Sequence, residues 1–434
     1  MALTSLALLL LVLLCALLAG GLWIALSLAA TGLAAMLFVH PSPGPFLAGA
    51  FWESTGSWTL AALPMFIWMG EILFRTRLSE ELFNGISPWV RRVPGRLLHV
   101  NILACGLFGS VSGSSAATCA TVSKIALPEL RRRGYDERTA IGSLATAGTL
   151  GIMIPPSIIM VVYAVAAEVS IVRVFIAGMI PGLIVMGLFS LYIAVWALLN
   201  PGKQPPAEPP LPFAAKLRQS AQLIPCGLLI AGVIGSMFAG WATATEAAAC
   251  GVAGSLVLAA LTGALTRRSF LDSLAGATRV SCMIMFILAG AAFLTKAMAL
   301  TGIPAALAEG VAALGLGPLG IIAMLTVVYV VLGTALDGVS MIVLTTSIVV
   351  PIVEKAGFDL VWFGIFIVLL VEIAEITPPL GFNLFVMQTM TGKEQGEVAL
   401  ASLPFFLMLV LTVALVTLFP VALVTGLPDL LLSR

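Results

Sequence analysis

Apolar residues in this chain run in long stretches that seldom alternate with polar ones. The stretches approach the roughly 20 residues of helix that cross a bilayer core. The first charged side chain is Glu53. Polar residues and helix breakers gather instead in clusters, and the clusters recur in order. GSVSGSS (Gly109 to Ser115), PELRRRGYD (Pro128 to Asp136) and IPPS (Ile154 to Ser157) return as GTALDGVS (Gly333 to Ser340), PIVEKAGFD (Pro351 to Asp359) and TPPLG (Thr377 to Gly381). Pro128, Gly134, Asp136, Pro155 and Pro156 have counterparts 223 positions later, at Pro351, Gly357, Asp359, Pro378 and Pro379. The glycine-rich clusters lie 224 to 225 apart. This pattern predicts an all-α polytopic membrane protein, with about 10–11 transmembrane helices in two like halves.

Basic residues give the expected sidedness, because loops rich in Arg and Lys stay cytoplasmic. They cluster at Arg75/Arg77, Arg91/Arg92/Arg96, Arg131/Arg132/Arg133/Arg138, Lys203/Lys216/Arg218 and Arg267/Arg268. The apolar segment at about 98–128 has such a loop on both sides, so a single crossing would put one loop on the wrong side. A re-entrant hairpin with its tip at GSVSGSS resolves the conflict; an ordinary span with one mis-sided loop is the alternative. Counting onward puts a second hairpin, at about 317–353, in the opposite orientation. The two halves then form an inverted repeat.

The expected organisation follows from these placements. Residues 1–56 carry N-terminal scaffold spans, the first 40 residues forming two spans hinged near Gly20 and Gly21. Residues 57–200 form the first repeat, with a broken helix at 139–167, and residues 201–220 a cytoplasmic proline-rich linker. Residues 221–278 add scaffold spans. Residues 279–434 form the second repeat, with a broken helix at 360–388.

A helix broken inside a bilayer exposes unpaired N–H and C=O groups, each costing several kcal/mol against lipid. The breaks must therefore face protein or a wet cavity, where N-terminal ends attract anions and free carbonyls coordinate cations. The candidate binding residues are Ser112, Gly113, Ser114, Ser115 and Thr118 at the first tip, and Thr149, Pro155 and Pro156 at the first broken helix. The second half offers Gly333, Asp337, Gly338 and Ser340 at its tip, then Thr377, Pro378, Pro379, Gly381 and Asn383. Prolines cannot donate backbone hydrogen bonds and so free carbonyls one turn earlier. Backbone carbonyls near Ser112, Ser115, Gly333 and Thr377 are hard oxygen ligands of the kind a small cation needs. The competing reading is that these small residues only let helices pack closely.

Five acidic residues fall at membrane depth: Glu71, Glu246, Asp337, Glu372 and Glu375. Asp337 is best placed, at a tip, while Glu372 and Glu375 stand just ahead of a break. Glu71 has Arg75 one turn on and reads equally as a structural pair. Glu246, after Thr243, reads as part of a helix cap. Lys124 and Lys296 stand apart from the basic loops and can snorkel.

Composition agrees with a membrane protein and narrows the classes. The chain is 60% hydrophobic and 9% charged, with a mean hydropathy of +1.14. A net charge of +1 gives no support to nucleic-acid binding. The N-terminus lacks the positive region of a signal peptide. Six cysteines without a CxxC pair read as packing residues, and His40 and His99 lie too far apart for a metal pair. No GxSxG, HExxH or acidic metal motif is present, so neither an enzyme nor a resident cofactor is expected.

At these same residues the chain resembles the large membrane subunit of tripartite ATP-independent periplasmic (TRAP) transporters. The resemblance is carried by SGSSAATCATV (Ser112 to Val122), GTLGIMIPPSI (Gly148 to Ile158), GWATATEAAACG (Gly240 to Gly251), GTALDGVSMI (Gly333 to Ile342) and EITPPLGFNLFV (Glu375 to Val386), and it runs over essentially the whole chain. Two details depart from the family pattern. Ala117, Thr118 and Cys119 follow SGSS where an acidic residue is common, and Thr243-Ala244-Thr245-Glu246 stands for Thr-Pro-Thr-Glu. The resemblance implies a secondary transporter of organic acids in the bacterial inner membrane, driven by a sodium gradient. It also implies delivery by a periplasmic substrate-binding protein, a small membrane subunit as partner, and an elevator motion of hairpins against a scaffold. A stand-alone symporter or antiporter, a membrane-embedded enzyme and a non-transporting receptor or assembly subunit are the alternatives.

Overall fold

The structure, a computed structural model, describes residues 3–432 apart from 41, 77, 207–210, 335 and 380. Arg77, the middle of the proline-rich linker, and Ala335 and Leu380 of the repeated motifs therefore lie outside the described residues. Every regular element among the described residues is a helix.

The chain opens with α1 (Leu3–Ala19) and α2 (Ile24–Val39), separated by a turn in which Gly21 takes a φ of 78°. Next come α3 (Pro43–Thr55) and α4 (Ala62–Phe74), bent by 52° at Gly56 and Ser57, and α5 (Leu78–Val90). A helical hairpin follows: α6 (Leu97–Ser112) and α7 (Ser115–Arg132) pack on each other. Then α8 (Glu137–Ala147), α9 (Leu150–Met153) and α10 (Ile158–Ala166) make one helix bent by 43° at its break. The long α11 (Ile171–Leu199) ends the first half.

The middle of the chain contains α12 (Phe213–Ser220), α13 (Ile224–Phe238), α14 (Ala244–Leu261), α15 (Arg267–Thr301) and α16 (Ile303–Ala313). A second helix–turn–helix, α17 (Pro318–Gly333) and α18 (Gly338–Lys355), precedes a second interrupted helix, α19 (Leu360–Glu375) and α20 (Phe382–Thr391). The chain closes with α21 (Gln395–Leu418) and α22 (Gly426–Leu432).

The same local devices punctuate the chain 223 positions apart. Gly134 and Gly357 take left-handed φ values of 79° and 80° just past α7 and α18, the conformation that favours glycine after a helix. Two residues later Asp136 and Asp359 each cap the next helix, accepting from the backbone N of Thr139 at 2.9 Å and of Trp362 at 2.9 Å. Both Pro-Pro bonds are cis. Each cap satisfies an end that would otherwise be orphaned, so Asp136→Ala and Asp359→Ala are each expected to lower stability by about 1 kcal/mol. Thermal melts of the two variants in detergent check this; unchanged melting of both would count against the capping role.

Six helices among the described residues are long and apolar enough to cross a membrane, or eight if each bent pair is one span. That is fewer than the count expected from apolar stretches. The reason is length: α1 and α2, expected as two spans, have 17 and 16 residues, roughly 25 Å of helix against a core of about 30 Å. The α15 helix differs the other way. It is one 35-residue helix from Arg267 to Thr301, and it runs straight through the boundary expected between 278 and 279. A capping box, with Thr266 and Ser269 each accepting from the other's backbone N–H, starts it early.

Burial separates two kinds of helix. The α19 helix is buried on every face from Val361 to Ala374 and packs against α11, α17, α18 and α21. Its sequence is apolar from Val361 to Val371, as a fully enclosed helix requires. The α13 helix is instead largely exposed, with Ile224 and Leu228 turned outward. Cys105, Cys119 and Cys226 are buried packing residues, but Cys15, Cys250 and Cys282 face outward; all six are free thiols.

Candidate functional site

The turn between α6 and α7 is a closed knot of hydroxyls. Gly113 takes φ 61° and ends α6, while Ser114 caps α7 by accepting from Ala117 N at 3.5 Å. Thr118 Oγ1 donates to Ser114 O at 2.7 Å and stands 2.7 Å from Ser112 Oγ. This tip presses onto the break of the first interrupted helix. A methyl group on Gly113 would lie 3.1 Å from Ile158 Cγ1, and one on Gly151 would lie 2.7 Å from Thr118 Oγ1 and 2.9 Å from Ser114 O. Pro155, Pro156 and Ser157 are buried there, with Ser157 capping α10 and donating to Ile152 O at 2.6 Å.

Asn383 joins the two halves. Though it begins α20, its Nδ2 donates to Ser115 Oγ at 2.8 Å and to Ala145 O at 2.9 Å, both in the first half. Asn383 is wholly buried, and its Oδ1 has no partner among the described residues. A buried amide oxygen without a donor is an acceptor in search of one, because leaving it bare costs about 1–3 kcal/mol.

The second tip lies against the same junction. Gly338 stands between α19 and α10: a methyl group there would meet Val371 Cγ1 at 2.5 Å and Ile159 Cδ1 at 3.1 Å. Gly333 packs onto Ala374 in the same way, at 2.3 Å. Asp337 is exposed and caps α18, accepting from Val339 N at 3.1 Å and Ser340 N at 3.2 Å, with the buried Ser340 hydroxyl also donating to it. Its position at the tip thus serves the helix end. A cavity of about 280 Å³ opens beside it, lined by Gly333, Asp337, Gly338, Ala374, Glu375 and Phe382 among others.

The most isolated carboxyl at the junction is Glu372. It is wholly buried and neither oxygen has a hydrogen-bond partner among the described residues. Thr149 approaches it from the first half, and its hydroxyl donates to Thr146 O at 2.9 Å. Glu375, three residues on and on the same helix face, is half-buried with Ser115 beside it, and its Oε2 is likewise unpartnered.

The sequence as a whole matches the family described as tripartite ATP-independent periplasmic transporter, DctM component, over residues 11–422. The chain belongs to this family. Among similar proteins, the C4-dicarboxylate TRAP transporter large permease protein DctM of Pseudomonas aeruginosa is 34% identical over 395 residues, 91% of this chain and 92% of that one. The ectoine/5-hydroxyectoine TRAP transporter large permease protein UehC of Ruegeria pomeroyi is 31% identical over 362 residues, 82% of this chain and 83% of that one. Among solved structures, the YdaH transporter of Alcanivorax borkumensis superposes with a TM-score of 0.63 at 14% identity, covering 92% of this chain and 96% of that chain. It shares the fold.

For a TRAP large permease, the placement of the expected residues is now specific. Ser112 to Ser115, Thr118, Thr149 and Asn383 converge on one junction, with Gly333 and Gly338 closing its other side. Thr377 donates to Ile373 O at 2.6 Å, and Gly381 N to Thr377 O at 3.0 Å, forming the turn after α19. Unlike Pro155 and Pro156, Pro378 and Pro379 are exposed, and Pro379 O accepts from Gln395 Nε2 at 2.6 Å. Three other charged candidates have structural partners. Glu71 pairs with Arg75, Glu246 closes a capping box with Thr243, and Lys296 pairs with Glu53.

Proposed function

We propose that this TRAP large permease imports an organic acid across the bacterial inner membrane, coupled to a sodium gradient. A periplasmic binding protein delivers the substrate, and a small membrane subunit completes the carrier. Relatives named for C4-dicarboxylates, ectoine and sialic acid support a small organic solute with a carboxylate. A relative named as a fused permease, DctMQ, for isethionate supports a second membrane component; this chain spans 62% of that protein's length.

The observation that carries the reading is the meeting of the interrupted helices, with Asn383 of one half bonded to Ser115 and Ala145 of the other. Such ends are useful only where ions or substrate meet them. Sodium would lie among the oxygens near Ser112, Ser115, Gly333 and Thr377. Among the described residues that meet at the junction none is an arginine or lysine, so the substrate's negative charge has to be met by helix N-termini and bound cations. The two hairpins and the two broken helices, moving as an elevator against a scaffold that includes α2, α3 and α14, would carry the site between the two faces.

Uptake into proteoliposomes containing this chain, its small subunit and a loaded binding protein tests the reading. An inward sodium gradient should drive accumulation, and replacement of sodium by potassium should abolish it. Equal accumulation in potassium would defeat the coupling.

A further inference from the structure

Basic side chains gather at a cavity that shares no lining residue with the junction of the broken helices. The cavity, of about 620 Å³, is lined by Arg91, Arg92, Arg96, Leu198, Gln204 and Lys216 among others. A smaller one, of about 180 Å³, shares Arg91 and Arg96 with it and adds Arg133 and Tyr135. Among the described residues no carboxylate lines either cavity. Glu129 pairs with both Arg132 and Arg133 and so offsets only part of this charge. Like charges crowded on one cavity repel, and an anion between them turns the repulsion into charge-assisted hydrogen bonds.

The walls are fastened to one another. Gln204 accepts from Gly95 N at 3.2 Å and donates to Ala197 O, tying the loop before α6 to the end of α11. Arg96 donates to Pro205 O, and Tyr135 accepts from Leu97 N at 3.3 Å. The α12 helix is held on α5 by Trp89, whose Nε1 donates to Ser220 Oγ and whose ring lies 5.6 Å from Lys216 Nζ. Two spans end at this cavity: the 29-residue α11 at Leu199, and the 26-residue apolar segment that starts at Phe213. That places the basic groups at headgroup depth. Outward from them Leu198, Leu199, Phe213 and Leu217 are exposed, and Trp89 stands edge-on to Phe213, as aromatic residues do at a membrane interface. A soluble anion would use the charge and leave this apolar rim bare.

We propose that this cavity binds an anionic phospholipid, with the headgroup phosphate among Arg91, Arg92, Arg96 and Lys216 and the acyl chains along Leu198, Phe213 and Leu217. The lipid fastens the base of the first hairpin to the end of α11 and to α12, elements otherwise joined there by the linker bonds of Gln204 and Pro205. Binding does not depend on the transport reading and is measured without substrate.

Native mass spectrometry of the purified full chain, released from micelles holding equal amounts of phosphatidylglycerol and phosphatidylethanolamine, reads the site directly. The wild type should retain phosphatidylglycerol in preference. R92Q/K216Q should weaken that retention by roughly 30-fold, the effect of two basic groups beside an anionic lipid. R267Q/R268Q removes the same charge at α15, outside the cavity, and should keep the wild-type preference. F213S/L217S strips the apolar rim from α12, a helix that buries no residue, and should also weaken retention. No preference in the wild type, or an equal loss in R92Q/K216Q and R267Q/R268Q, overturns the proposal. Unchanged retention in R92Q/K216Q does the same. Displacement of the lipid by soluble glycerol phosphate, or full retention in F213S/L217S, would make the cavity a site for a free phosphate and overturn the lipid as its occupant.

Discussion

Asn383→Leu should abolish the response of the protein to sodium while leaving its helices in place. Leucine is close in size to asparagine, so no large cavity forms. What is lost is the pair of hydrogen bonds by which α20 holds Ser115 Oγ at 2.8 Å and Ala145 O at 2.9 Å across 268 and 238 positions of chain. Both acceptors sit in buried surroundings, and each left bare costs about 1–3 kcal/mol. The sum, roughly 2–6 kcal/mol, falls on the junction where the two halves meet. If even 2.8 kcal/mol of it falls on sodium affinity, that affinity drops by about 100-fold. Asn383→Asp separates the contributions: it keeps an oxygen where Oδ1 stands and removes the Nδ2 donor. The measurement is sodium-dependent thermal stabilisation of the purified chain, followed by uptake. A wild-type sodium response in Asn383→Leu would remove this residue from the site.

How far the sequence revealed this arrangement depends on the range of the interaction. Local devices were legible. Gly134 with Asp136 and Gly357 with Asp359 announce a helix end followed by a new cap within three residues, and the structure has both. The turns at Gly113 and Asp337 were likewise readable as breaks in apolar sequence. Partners were not legible. Asn383 stood out as a polar residue after Pro378 and Pro379, but nothing local pairs it with Ser115 and Ala145.

The ranking of acidic residues shows the same limit. Asp337 attracted attention because it sits at a tip, and a tip is where a helix start needs an acceptor; in the structure both its oxygens serve that start. Glu372 is the wholly buried one, yet α19 is apolar on every face, so no periodicity distinguishes the side turned to Thr149. The boundary expected between residues 56 and 57 is in the structure a 52° bend, a feature with no proline and no counterpart 223 positions on to mark it. Pro155 and Pro378 are equivalent in sequence and opposite in burial; the first tip packs onto the break at Pro155, with Gly113 against Ile158.

Gly109→Val should cost the protein its transport, and the reason is backbone contact, not loss of a chemical group. An added Cβ at Gly109 would stand 2.5 Å from Gly151 Cα and 2.8 Å from Gly151 N. Neither neighbour is a side chain that can rotate away, so the hairpin and α9 must separate. Overpacking of this kind costs about 1–3 kcal/mol, or more where backbone has to move. The displacement would act on the tip itself, since Gly151 is the surface on which Ser114 O and Thr118 Oγ1 rest. Gly232→Ala provides the matched control: it lies inside α13 with nothing within 4 Å of the added carbon, and alanine there should raise stability by about 0.5–1 kcal/mol. Uptake and melting measured together separate the outcomes. Loss of uptake in Gly109→Val with full activity in Gly232→Ala places the requirement at the contact between hairpin and broken helix. Full activity in both would mean that these backbones part without consequence, and that the tip does not need its seat on α9 to bind.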